Sequence, residues 1–149
     1  MPIRPVELLR FAKTLDRRDE AARRAAISRA YYRAYHAALP VAEKLPPAAG
    51  YDVPNRIPHR QIADRLKDWK IPASWSKASK RAGNPATVAK QYRAALTRRK
   101  RADYQLDGVM SPIDVEIQLK RVAEIHAFMT RLKAALPAEF PTRVKVNAA

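Results

Sequence analysis

The segment Arg99-Lys100-Arg101-Ala102-Asp103-Tyr104 joins a guanidinium, a carboxylate four residues on and a phenol five residues on. A guanidinium presents a planar fork of donors that fits phosphate oxygens. Asp103 lies one helical turn from Arg99, the spacing at which an ion pair forms. On a helical wheel Arg99 falls within about 60° of Val88, Tyr92, Ala95, Leu96 and Leu106, which is the core-facing line of this stretch. A charge there needs a partner, because an unpaired buried charge costs several kcal/mol. Two readings follow from the spacing. Arg99 and Asp103 form a structural pair that anchors two helices, or Arg99 stands in a cleft to hold a phosphate and stabilise its developing charge. Tyr104 lies about 140° around the wheel from Arg99. A straight helix is thus expected to keep the two apart, and one site would need an unwound helix end or a second subunit. Arg98, Lys100 and Arg101 are expected to project outward and track a nucleic-acid backbone, although each alone is an ordinary solvated charge.

The 149-residue chain holds 30 Lys+Arg against 14 Asp+Glu, a net charge of +16. Residues 46–110 carry 14 basic and 5 acidic side chains, so the surplus gathers in the middle of the chain. That distribution is the electrostatic footprint of a polyanion-binding protein. A second basic group, Lys77, Lys80 and Arg81, surrounds Trp75 in a loop read from Ile71 to Asn84. Loops of that length inside a compact domain are often functional. An alternative from a different class is a basic docking partner for an acidic protein.

Composition also sets limits. There is no cysteine, and His36, His59 and His126 are far apart in the chain. Neither a disulfide framework nor a thiolate or histidine metal site is expected, and no cofactor is implied. No run of about 18 apolar residues is present, so no membrane span is expected. The start Met1-Pro2-Ile3-Arg4-Pro5 lacks the apolar segment of a secretory signal, which points to a cytoplasmic protein.

The elements that must position these groups read as an all-α bundle of four to five helices. Val6 to Leu15 forms a first helix, with Leu8, Leu9, Ala12 and Leu15 on one side. Asp16 is the expected N-cap of a second helix from about Arg17 to Leu39, with Asp19 in a capping-box-like position. Its core stripe is Ile27, Ser28, Tyr31, Ala34, Tyr35 and Ala38, leaving Arg29, Tyr32, Arg33 and His36 on the polar side. Pro40 to Pro58 holds five prolines and Gly50, and is read as a long loop interrupting the end of that helix. His59 to Lys70 is a short amphipathic helix carrying Ile62, Leu66 and Trp69. Asn84-Pro85 opens a helix that runs to Tyr104 or Leu106 and stops near Asp107-Gly108. Ser111-Pro112 opens the last, with Asp114 near its positive end and a stripe of Val122, Ile125, Phe128, Met129, Leu132 and Leu136.

Two blocks in this order carry a family resemblance. Ser28-Arg29-Ala30-Tyr31-Tyr32-x-x-Tyr35-His36-Ala37-Ala38, followed by Arg99-x-x-Ala102-Asp103-Tyr104, resembles the HEPN superfamily. The likeness is to its small stand-alone prokaryotic members of toxin or defence type. It implies a helical bundle, which the length makes a single domain over residues 1–136 ahead of a proline-punctuated, loose tail at 137–149, and a homodimer whose helices line a basic cleft. It further implies metal-independent endoribonuclease activity, in which the RNA 2′-hydroxyl attacks the adjacent phosphate. Carried over, the motif's arginine is Arg99 and its polar residue is Lys100. The position of its histidine holds Tyr104.

That departure bears on chemistry. An imidazole exchanges protons near neutral pH, whereas an unperturbed phenol, with a pKa of about 10, is a poor general base. Arg98 becomes a second possible arginine if the helix register differs. His36 shares a face with Tyr32 and Arg29 and could supply an imidazole. The resulting expectation is a site in which Arg99, Asp103 and Tyr104 act on RNA. Arg98, Lys100, Arg101, Lys77, Lys80 and Arg81 hold its backbone. A nucleotidyltransferase-like antitoxin is the partner that the resemblance suggests. If the missing histidine means lost chemistry, the expectation becomes an RNA-binding module without turnover.

Overall fold

In the computed structural model, residues 3–45, 47–48, 57–69 and 83–135 are described. They form five helices and contain no strand: α1 Pro5–Thr14, α2 Glu20–Ala42, α3 His59–Asp68, α4 Pro85–Tyr104 and α5 Pro112–Ala135. The described residues are all-α, as their helical periodicity predicts. No helix among the described residues is long and apolar enough to cross a membrane.

The caps explain where the helices start. Asn84 Oδ1 accepts from the Ala86 amide at 2.9 Å, with Pro85 at the first helical position of α4. Asp114 Oδ2 accepts from the Ser111 amide at 2.8 Å and so closes the entry to α5. The start of α2 differs from expectation. Asp19 is its N-cap and accepts from the Ala21 amide at 3.0 Å. Asp16 instead turns onto Arg18, taking its amide at 2.9 Å and its guanidinium at 3.0 Å, and these bonds hold the Asp16 carboxyl below its usual range. With Asp16 committed to that turn, the next acidic side chain caps the helix.

The end of α2 differs as well. The helix passes through Pro40 to Ala42. Proline lacks the amide that would bond to the His36 carbonyl, a loss of about 3 kcal/mol in a helix interior. Here Pro40 and His36 lie on the exposed face, while Val41 and Ala42 on the next turn are buried. Core burial on one side and water on the other carry the helix past the proline.

Helix α2 is the centre of the bundle and contacts all four other helices. Tyr31, Ala34, Tyr35 and Ala38 of its expected stripe are buried as the wheel predicts, with Ala30 beside them and Val122, Ile125, Phe128, Met129 and Leu132 of α5 packed in the same core. The small alanines let neighbouring helices approach, and the tyrosines fill the space between them. A smaller cluster of Ala12, Ala26, Ile27, Ala102, Met110 and Val115 seals the end of the bundle where α4 stops. Leu136, the tail at 137–149 and most of the two long loops lie outside the described residues.

A candidate site at the end of helix α4

Two arginines of α2 fix the end of α4. The last carbonyls of a helix have no partner inside it. Arg24 Nη1 donates to the carbonyls of Arg101 at 3.1 Å, Ala102 at 3.0 Å and Gln105 at 3.1 Å, and Nη2 reaches the Gly108 carbonyl. A cation at this position also complements the helix dipole. Arg23 Nε donates to the Met110 carbonyl at 2.5 Å. Glu20 completes the clamp, pairing with both arginines and accepting from the Met110 amide at 3.0 Å. The turn after Tyr104 is therefore held by three charged side chains of one helix.

Arg99 sits on that fixed end. Its Nε lies 2.7 Å from Asp103 Oδ2, and its Nη2 donates to the Tyr32 hydroxyl at 3.1 Å. The Nε contact is ionic rather than an aligned hydrogen bond, so the Nε–H remains a buried donor off the line to its carboxylate. Ser28 Oγ donates to the same carboxylate oxygen at 3.2 Å. The side chains of Arg99 and Asp103 keep 15% and 24% of their surface in water. The pair thus lies at the rim of the bundle, not in a dry core. Burial pulls the Arg99 pKa down, but Tyr32, Asp103 and Tyr104 together outweigh it and hold the pKa above its ordinary value. Arg99 is charged at every working pH.

Tyr104 meets Arg99 after all. The Arg99 Cζ lies 5.5 Å from the Tyr104 ring centroid and 5.5 Å from that of Tyr32, so the guanidinium is in cation–π contact with both rings. The wheel angle separates the two Cβ atoms, but a long arginine side chain spans the turn along the axis. Neither an unwound helix nor a second subunit is needed, because Tyr104 is the last helical residue. Tyr104 is 70% exposed.

Behind Tyr32 lies a cluster of rings. The Tyr31 hydroxyl is 2.6 Å from His59 Nδ1 and 2.8 Å from the Tyr92 hydroxyl. His59 packs against Tyr35 at 4.2 Å between centroids and meets Tyr32 edge-on at 6.3 Å. Burial pushes the phenols of Tyr31 and Tyr92 well above the usual tyrosine value, so both stay protonated. If Tyr92 donates to Tyr31 and Tyr31 donates to Nδ1, both hydroxyl protons are used within this chain. His36 is exposed on the next turn of α2, 6.5 Å from Tyr32.

The other expected residues separate. Lys100 and Arg101 are exposed on α4. Arg98 does not project outward: its Nη1 donates to Asp114 Oδ1 at 3.0 Å, which ties α4 to the start of α5. The two-helix contact that the wheel left out is the reason, since α5 covers that side of α4. Lys77, Lys80 and Arg81, with Trp75, lie outside the described residues. No group of three or more His, Cys, Asp or Glu side chains that could hold a metal ion occurs among the described residues.

Four participants were not expected at this site. Tyr32 was assigned to the solvent side of α2, yet α4 crosses there and takes its hydroxyl. Ser28 was read as core and instead holds Asp103. His59 has no local signal, because only the packing of α3 against α2 and α4 brings it to the tyrosines. Arg24 could have been found from its spacing four residues after Glu20, but not its target. Comparison with protein-family models, with curated proteins and with solved structures finds no match to this chain.

Proposed function

We propose that this chain is a HEPN-type protein that acts on RNA at the end of α4, as a metal-independent endoribonuclease of a toxin-antitoxin or phage-defence system. The observation that carries the reading is Arg99: a charged guanidinium at the rim of the bundle, oriented by Asp103 and Tyr32 and flanked by exposed Lys100 and Arg101. Such a group can hold a phosphate and stabilise the charge that develops on it when the adjacent 2′-hydroxyl attacks. Asp103 orients Arg99, and Tyr104 borders the place where the phosphate would sit. The imidazoles of His36 and His59 both lie beside Tyr32, with ring centroids 6.5 Å and 6.3 Å from its own. The resemblance adds a homodimer and a nucleotidyltransferase-like antitoxin to the proposal.

One observation favours a second reading, an RNA-binding module without turnover. The residue at the motif's histidine position is an exposed phenol, Tyr104, and a phenol is a poor base at neutral pH. Incubating the purified protein with end-labelled RNA in EDTA separates the two. The first reading expects cleavage to 2′,3′-cyclic phosphate and 5′-hydroxyl ends. A gel shift without cleavage favours the second, and neither outcome on any RNA would reject both.

A further inference from the structure

We propose that the ring of Tyr104 is a stacking platform for one unpaired base of a single-stranded RNA whose neighbouring phosphate is held by Arg99. The inference rests on the reading of the α4 end as an RNA site, and it assigns that site a substrate class. A lone exposed aromatic ring needs no explanation in itself. This one differs in its company. One face of the ring lies over the Arg99 guanidinium, with Cζ 5.5 Å from the centroid, while 70% of the residue remains in water. The turn that follows the ring is fixed by Arg24, near the start of α2, which donates to the carbonyls of Gln105 and Gly108.

The guanidinium below the ring has capacity left. Its Nε faces Asp103 and its Nη2 donates to Tyr32. Its Nη1 has no protein partner among the described residues. A phosphate oxygen can take that donor while a base covers the outer face of Tyr104. The stack would then run Tyr32, Arg99, Tyr104, base, each layer adding cation–π or base–aromatic contact. Exposed Lys100 and Arg101 one turn earlier supply charge for the next phosphates.

The ligand class follows from access. In a duplex, both faces of each base are covered by neighbours, so a protein ring can stack only on an unstacked base. Charge favours RNA over a second protein chain at this ring. Exposed Lys100 and Arg101 precede it by one helical turn, with exposed Asp107 three residues after it, so the local balance of exposed charge is positive and suits a polyanion.

The test uses 2′-O-methyl RNA, which lacks the attacking hydroxyl, as a labelled 12-nucleotide single strand and as the blunt duplex of that strand with its complement. Binding is read by fluorescence anisotropy for the parent protein, Tyr104→Ala, Tyr104→Phe and Arg99→Ala. Tyr104→Ala is expected to weaken single-strand binding roughly 5- to 150-fold and to leave duplex binding unchanged. Tyr104→Phe keeps the ring and should stay within about twofold of the parent. The proposal is overturned if Tyr104→Phe binds as weakly as Tyr104→Ala, because the hydroxyl and not the ring is then the contact. It is also overturned if Tyr104→Ala binds the single strand like the parent, or if it changes only the sedimentation of the protein. If Arg99→Ala weakens binding and Tyr104→Ala does not, stacking fails and the RNA site stands. If the parent binds neither RNA, both fail.

Discussion

At the scale of the residue, the site is a problem in keeping a charge at a rim. Arg99 is retained in its ionised form because its neighbours supply what burial removes: a carboxylate, a hydroxyl and two ring faces. A contrasting residue is His126, where the balance runs the other way. Burial lowers its pKa first, and the Arg33 guanidinium, whose Nη2 donates to Nε2 at 2.6 Å, lowers it further. The folded protein therefore prefers the neutral imidazole. Between the lowered native pKa and the unfolded value of about 6.5, the unfolded chain binds more protons, so stability falls as pH drops through that window. An NMR titration should place His126 below the ordinary histidine value, and Arg33→Gln should move it upward. A value for His126 at or above about 6.5 would contradict the contact.

At the scale of the element, the end of α4 is positioned by α2 rather than by its own sequence. Arg24 satisfies the carbonyls of residues 101, 102, 105 and 108 and keeps only 12% of its side chain in water. Arg24→Ala leaves those carbonyls without their charged donor and Glu20 with Arg23 alone, at a cost of about 1–3 kcal/mol. Urea unfolding should show that loss, while Arg18→Ala, at an exposed arginine paired with Asp16, should change stability by less than about 0.5 kcal/mol. Equal effects would mean that the clamp is not what holds the turn.

This scale also shows what could be read in advance. The caps at Asn84 and Ser111, the stripes of α2 and α5, and the Arg99–Asp103 pairing are local patterns of three or four residues, and they appear in the sequence as they do in the fold. The Asp16 cap and the stop at Pro40 failed because each local rule met a competitor, an arginine two residues away and a buried last turn. Tyr32, Ser28 and His59 were illegible because their roles depend on helix crossings. A wheel describes one helix and cannot say which neighbour covers its polar side. The same blindness assigned Arg98 to solvent, where α5 covers it.

At the scale of the whole molecule, the account joins a helical bundle to a charge of +16 that is unevenly spread along the chain. If the exposed cations of α4 neutralise RNA phosphates, binding must weaken steeply with salt. For a single strand, log K should fall with log salt by about 0.7 for each phosphate neutralised. Lys100→Ala and Arg101→Ala should each lower that slope by about one such step while leaving the fold intact. A slope that these variants do not change would place the RNA elsewhere on the molecule.

The central claim is that Arg99 acts on an RNA phosphate and is more than an anchor between helices. The most direct measurement compares the parent protein with Arg99→Ala for single-turnover cleavage of labelled RNA in EDTA, with thermal melts run alongside. The account predicts a cleavage rate at least about 100-fold lower with the fold retained, since the residue lies at the rim and leaves behind a carboxylate still bonded to Ser28. Cleavage by Arg99→Ala at the parental rate would contradict it.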